Sequence, residues 1–553
     1  MYRHMIRLIA IFTVLFLTAC GGCNEREHRD ECDLGDPSTC PAGERCVDDR
    51  GISVCEELES CDPAVPGDCP GGYICRPLGD RAVCEPELSA GRIPHCIDSE
   101  GIDVFAVEAY EALSVSWNVR GDFDHRGGFL VEYGVASQDY HGDREVDSDV
   151  RHINLRGLDN GVTHYVVVHA LDPDGDITHT SCELDAVPRM LEFQPEVLVS
   201  ESGSGDQLAP AIASTTDGHR IYLVWEDGSR IVSSLSTDFG DTWDTAQPVA
   251  PGSGQSNPDV AVRQEIRDGD GDLILRELAY IAWEESGEIW ITSYDPEDDE
   301  FDEPTRVASG NRPAIAVTSD VVHVVFEDGG DILHTLSEDR GVSFDSPVVI
   351  SSGVNDSSHP AMATSIFTDD VFVGWHGYRG SGDSDIYAVR SLNGGISFDE
   401  FRQVDDDPGG NNQRHVSINV NERSQTVYAS WEDRRGGANV YFSWSDDWGE
   451  SWEDNIDVGA GMGGDQFRPQ AVVDVAGNVY VAMQDTSSGR RVVFSRFNAE
   501  GSFDPPLIPS GQAGAAGVVA DNPAVAADHY GAVFVAWEED RHGNVDIFFA
   551  RAE

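Results

Sequence analysis

The sequence predicts an all-β protein of several domains, on three observations. Residues 191–553 repeat one pattern seven times, about 50 residues apart. Short runs alternate apolar and polar residues, the period that puts successive side chains on opposite faces of a strand. Fifty-seven glycines are spread along 553 residues, supplying the tight turns such a chain needs. The length itself implies more than one domain.

The charge narrows the function classes. All 36 basic residues are arginines, against 100 acidic ones, for a net charge of −64. A phosphate backbone needs clustered cations, and the sequence has no basic patch, so nucleic acid is excluded as a partner. Docking on an anionic membrane surface is disfavoured for the same reason. The excess carboxylates are read as a solvated surface suited to a salty or open environment, with Ca²⁺ binding as the alternative.

The elements follow in chain order. Arg3 and Arg7 flank the start of the apolar run Leu8 to Leu17, too short to span a bilayer and read as a signal-peptide core over residues 1–19. The run ends in Leu17-Thr18-Ala19-Cys20, which resembles the lipobox of bacterial lipoproteins. That resemblance implies cleavage before Cys20, lipid on its sulfur and acylation of its amine, an anchor to the membrane. Removing 1–19 takes away two arginines and no acid, so the charge becomes −66. Gly21, rather than an aspartate, follows the anchor, which points to an outer-membrane lipoprotein of the bacterial envelope; surface exposure is expected of it, although these residues do not give the leaflet. Residues 20–31 are anchor and linker.

Eight cysteines form two copies of one spacing: Cys32, Cys40, Cys46, Cys55 over residues 32–60, and Cys61, Cys69, Cys75, Cys84 over 61–96. Units this short cannot bury a sufficient core and need disulfides, although spacing does not choose among the pairings. Neither unit has a close Cys-x-x-Cys pair, so zinc is not expected there. The units resemble Cys-rich repeats that follow the anchor in bacterial surface lipoproteins, which implies a stiff spacer. Cys96 and Cys182 bracket the next domain and are predicted to pair, leaving Cys23 as the odd thiol.

Residues 97–190 carry period-two runs such as Leu113 to Trp117, Gly128 to Tyr133 and Thr163 to Ala170, the pattern of a β-sandwich. The stretch resembles a fibronectin type III domain of the Ig-like class, which implies that Trp117 is the core tryptophan and Tyr165 the corner tyrosine. Asp172, Asp174 and Asp176 are read as a hairpin turn.

In residues 191–553 each unit holds a Pro-led strand, a strand ending in an aromatic and an acid, as in Trp225-Glu226-Asp227, and a hairpin followed by an outer strand. Four strands at this period predict a seven-bladed β-propeller. The hairpins resemble the Asp box of sialidase-like (BNR) propellers. The boxes comprise Ser236, Asp238, Gly240 and Trp243; Ser337, Asp339 and Gly341; Ser445, Asp447, Gly449 and Trp452; a weaker copy starts at Ser391. The resemblance makes these residues structural, with Asp and Ser bonding turn amides and the aromatic plugging between sheets. The chain ends on the third strand of the last unit. Phe193 to Ser200 looks like an outer strand without a blade, and is predicted to complete the seventh and close the ring.

Sialidases of this group begin their first blade with an arginine; here that stretch is Gln207-Leu208-Ala209-Pro210. Three arginines, Arg312, Arg414 and Arg468, fall at blade-entry positions, where guanidinium forks suit a carboxylate or sulfate. Pairing with Glu327, Asp433 or Asp485 is the competing reading. Asp268, Asp270 and Asp272 have alternating spacing that admits Ca²⁺, but an EF-hand would want Gly and Glu where Leu273 and Ala279 stand, and a hairpin tip is expected. No cofactor is required. The function expected is a monomeric cell-surface lipoprotein whose propeller binds a glycan or protein without catalysis. The alternatives are an exo-sialidase or other propeller glycoside hydrolase, and a structural envelope or adhesion component.

Overall fold

The computed structural model describes residues 94–96 and 101–552 apart from short interruptions, the longest at 201–204 and 510–516, and the backbone of four earlier strands. Among the described residues every regular element is a strand. The chain divides into two compact units, 1–91 and 92–553.

The first unit contains two hairpins, Glu44–Asp48 with Ser53–Glu57 and Tyr73–Leu78 with Arg81–Pro86. Their registers set Cys46 opposite Cys55 and Cys75 opposite Cys84, so the two Cys repeats make the same local structure. Cys20, Cys23, Cys32, Cys40, Cys61 and Cys69 lie outside the described residues.

The second unit opens with two sheets. One contains His95–Cys96, Ile102–Ala109, Ala112–Val119 and His152–Arg156. The other is built on Gly128–Gly134 and His164–Leu171. Their inward positions form one core in which Trp117, 1% exposed, packs against Phe129 at 5.4 Å. Cys96 and Cys182 are disulfide-bonded, 86 residues apart. Asp172 Oδ1 accepts the Asp174 and Asp176 amides at 2.9 and 3.0 Å, a hydrogen-bonded turn. Tyr165 is only part-buried, which departs from the corner position expected of it. The buried ring there is His164, with Nδ1 2.8 Å from the Val162 carbonyl.

Residues 197–552 then form seven antiparallel sheets. Their first strands are Gln207–Ser214, Gln255–Gly269, Asn311–Val317, Asn355–Thr364, Gln413–Asn421, Gln466–Val473 and Ala520–Ala527. Each first strand touches that of the next sheet, and the seventh touches the first, so the sheets run in a ring. Facing sheets share cores: Tyr222 and Val224 of the first meet Ala279 and Trp283 of the second. The ring closes through the segment before it. Val197 pairs with Phe549 and Leu198 with Phe548, supplying the fourth strand of the last sheet.

Two sheets depart from four strands. The second gains Thr305–Ser309 as a fifth, and its first two strands extend into a long hairpin. That extension carries Asp268 and Asp272 to the hairpin tip, with Asp270 outside the described residues. The sixth has three strands, because Pro505-Pro506 offer no amide donors and pairing shrinks to two isolated bridges, Phe494 with Leu507 and Phe497 with Phe503.

The Ser-Asp-Gly hairpins fold alike. Ser236 Oγ accepts the Gly240 amide at 2.8 Å, and Asp238 Oδ1 accepts the Thr242 amide at 2.8 Å. The same bonds recur at Ser337–Ser343 and Ser445–Ser451. Gly240, Gly341 and Gly449 have φ of 90°, 81° and 88°, a conformation that costs glycine nothing. Trp243 then packs edge-on against Phe549 of the neighbouring sheet at 5.0 Å.

Candidate functional site

Each first strand carries a bulge near its start, where three residues pass while the partner strand advances two. One residue in each bulge is left-handed: Ala209, Asn257, Arg312, His359, His415, Arg468 and Asn522, with φ between 48° and 53°. A side-chain-bearing residue with positive φ is strained, and the strain here recurs seven times at one mouth of the ring. The bulge turns that residue's amide out of its own ladder and toward the neighbouring sheet.

The acceptor is the residue after the buried aromatic of the preceding sheet. Glu538 accepts the Ala209 amide, Glu226 that of Asn257, Glu284 that of Arg312, Glu327 that of His359 and Glu432 that of Arg468, at 2.5–3.3 Å. At the sixth sheet this position is Gln484, and the Asn522 amide instead goes to Asp521 at 2.8 Å. At the fourth it is His376, and no side chain accepts the His415 amide. Six of the seven bulge amides therefore meet a carboxylate and one does not. These carboxylates are structural acceptors in a largely buried ring. Burial pushes Glu226 and Glu538 up, while at Glu432 the His415 imidazole and the Arg468 amide outweigh burial and hold it low.

The exceptional junction gathers three histidines. Ring centroids of His359 and His376 are 5.1 Å apart and stacked; His415 stands edge-on, 4.6 Å from His359 and 6.2 Å from His376. His376 is 8% exposed, and its Nδ1 is buried with no hydrogen-bond partner. His359 Nδ1 bonds Ser358 Oγ at 2.9 Å, and His415 Nδ1 lies 2.9 Å from Glu432 Oε1. Burial, then neighbouring positive charge, pushes His359 and His376 down to about 3, so both are neutral at ordinary pH. The next residue is also exceptional. Where Glu285, Asp433 and Glu539 accept the Nε1 donors of Trp283, Trp431 and Trp537, the fourth sheet has Gly377, and Trp375 Nε1 is left unpartnered. A Cβ at Gly377 would come 2.5 Å from Val354 Cγ1.

The bulge residues line a cavity of about 810 Å³ at the channel mouth, with Arg312, His359, His415 and Arg468 on its wall. Arg312 reaches Glu327 at 3.0 Å, and Arg468 lies 3.7 Å from Asp521. Asp433 and Asp485 pair instead with Arg435 and Arg491. Arg414 is not the counterpart of Arg312 and Arg468, because the bulge residue of its strand is His415. Arg414 sits one position earlier, exposed and in no ion pair among the described residues, and its charge bears on His359 and His376 together with that of Arg312. The three arginines therefore divide: Arg312 and Arg414 flank the histidines, and Arg468 faces Glu538. Deeper in the channel Asp259 accepts the Val260 and Ile315 amides, and burial pushes it up to about 6.

Among the described residues no group of three or more His, Cys, Asp or Glu is arranged to hold a metal ion. The sequence shows the Trp-acid motif and its replacement at Trp375-His376-Gly377. It does not show that the acid reaches across to the next sheet's bulge.

No family model matches the chain, and no curated protein matches it. Solved structures do. One is a protein of unknown function from Dyadobacter fermentans, at 15% identity over 66% of this chain and 99% of that one, TM-score 0.43. A lectin of Burkholderia pseudomallei shares 16% identity over 62% and 98%, TM-score 0.41. A sialidase of Streptococcus pneumoniae shares 11% over 85% and 86%, TM-score 0.34.

Proposed function

We propose that this chain is a surface lipoprotein whose seven-bladed, Asp-box type propeller binds a glycan at the channel mouth without turning it over. In this reading Cys20 carries the anchor, the Cys-rich repeats form a stalk, and a fibronectin-like sandwich precedes the propeller. The observation that carries the reading is the ring of carboxylates. Glu226, Glu284, Glu327, Glu432 and Glu538 all accept bulge amides, whereas a glycoside hydrolase, with two carboxyl groups or with the Tyr/Glu pair and Asp acid of a sialidase, needs carboxyl groups free to face the scissile bond. Beside these engaged acids the mouth presents the neutral imidazole of His359 and, next to the histidines, the unpaired guanidinium of Arg414, groups that bind and orient an anionic ligand. A protein ligand remains the alternative occupant.

The test uses the full chain with Cys20→Ser, which removes the anchor. A glycan array is expected to show retention of a defined glycan class, and a fluorogenic sialoside is expected to go unhydrolysed. Turnover that Arg414→Ala abolishes would overturn the non-catalytic reading. No glycan binding together with a stable protein partner in pull-downs would replace the glycan with a protein.

A further inference from the structure

The ring of bulge amides has one vacancy in its pattern of acceptors. In six junctions an amide meets a carboxylate from the protein. In the seventh, His376 occupies the carboxylate's position and the His415 amide is left without a side-chain acceptor. The surroundings have changed in the direction a visiting anion requires. Arg414 is exposed and unpaired among the described residues, Arg312 lies on the other side, and His376 Nδ1 is buried and unpartnered. His359 and His415 form the cavity wall in front of it.

We infer that this junction is the seat of a ligand carboxylate, which approaches from the cavity, takes over the acceptor role of the glutamate at the sister junctions and accepts the His415 amide, the His376 ring N–H and the Arg414 guanidinium. The ligand class is an acidic glycan bearing its carboxylate on a terminal uronic or comparable sugar acid. The inference rests on the channel-mouth reading for the rest of the ligand, but the seat itself is a property of the His376–His415 junction. A carboxylate suits it because the donors left open, a backbone amide, an imidazole and a guanidinium, are the kind a carboxylate accepts from. The charge balance agrees. Each sister glutamate brings its own negative charge to a wall rich in acid; here Glu432 is engaged with His415 and Arg312 with Glu327, and the uncompensated charge beside the vacancy is that of Arg414.

Calorimetric titration of D-glucuronate into the full chain with Cys20→Ser tests this, with D-glucose as the neutral control. Saturable binding of glucuronate but not glucose is expected. His376→Glu puts back the carboxylate that the fold accommodates elsewhere. It is expected to keep or raise thermal stability and to abolish glucuronate binding by filling the seat. His376→Gln matches the natural Gln484 and provides a folded variant without the added charge; it is expected to retain weakened binding. Arg414→Ala is expected to weaken binding roughly tenfold, the loss of one charge-assisted bond. Glucuronate binding unchanged in folded His376→Glu overturns the seat. Preference for methyl sulfate over glucuronate overturns the carboxylate assignment. The glycan array separates this inference from the broader reading. A neutral glycan bound equally by the parent and His376→Glu retains channel-mouth recognition and overturns the seat. Glucuronate binding lost in His376→Glu, with no glycan retained on the array, supports the seat and overturns the glycan reading.

Discussion

His323 and His334 show how burial decides the behaviour of a residue whose type suggests chemistry. They stack with His323 Nδ1 3.2 Å from His334 Nε2, beside Phe398 and Gly395 in the joint between the third and fourth sheets. Burial pushes His323 down to about 4, and burial with the charge of its neighbour pushes His334 to about 3. Both bases stay neutral in the fold, whereas the unfolded chain takes up protons below about pH 6.5. Their stabilising contribution is complete above that pH and is lost as pH falls toward 4 and then 3. Replacing the pair by His323→Phe with His334→Leu is expected to flatten the decline of Tm between pH 6.5 and 4.

Asp447 titrates the other way, held at about 2: burial alone would raise it, but bonds from the Ser451 amide and hydroxyl and from Ser445 prevail. Its contribution is present in full above the unfolded carboxylate range and is lost progressively as pH falls from there through about 2. Asp447→Ala is expected to cost about 1–2 kcal/mol in urea denaturation, because the turn amides lose their acceptor.

Among elements, the bulge with its facing glutamate is the repeated joint of the ring. Glu538 accepts the Ala209 amide and the Asn522 Nδ2 donor, so it ties the seventh sheet to the first. Glu538→Ala leaves both donors in a largely buried wall, and a loss of about 2–3 kcal/mol is expected in chemical denaturation. Half of this element is legible in the sequence. The Pro-led strand and the Trp-Glu ending both repeat visibly, and the Asp boxes can be read down to individual hydrogen bonds because their partners lie within eight residues. The glutamate that accepts a bulge amide lies some 28 to 36 residues away, or 329 in the case of Glu538, across a gap between sheets. Arg414 was misaligned with Arg312 and Arg468 for the same reason: a bulge shifts the phase by one residue, and His415-Val416 lacks the proline that marks the position elsewhere.

At the scale of the whole molecule, closure and docking depend on chain that precedes the repeats. Val197 and Leu198 cover the edge at Phe548 and Phe549, and an uncovered edge is a template for pairing between copies. A chain beginning at residue 205 is expected to aggregate and to melt at lower temperature than one beginning at 191, in light scattering and calorimetry run side by side. The two-sheet domain at 94–190 is held against the sixth sheet by Arg156, which donates to the Ala476 and Gly477 carbonyls at 3.0 and 2.7 Å. Arg496 adds an ion pair to Glu111 at 2.7 Å while lying over the Tyr110 ring. Arg156→Ala is expected to separate the unfolding of the two parts into distinct calorimetric transitions without moving the melting of the ring by more than a few degrees.

The sequence by itself determined the strand order, the seven repeats, the hairpin chemistry, the Cys96–Cys182 partnership and the segment available to close the ring. These follow from local periodicity, short-range hydrogen bonding and counting. Tertiary structure alone decided which carboxylates are spent on backbone amides, that Arg414 stands free beside the histidines, and that one junction lacks its acceptor. Those are contacts between neighbouring sheets, and the ring closure that brings the sheets together lies beyond any local pattern of residues.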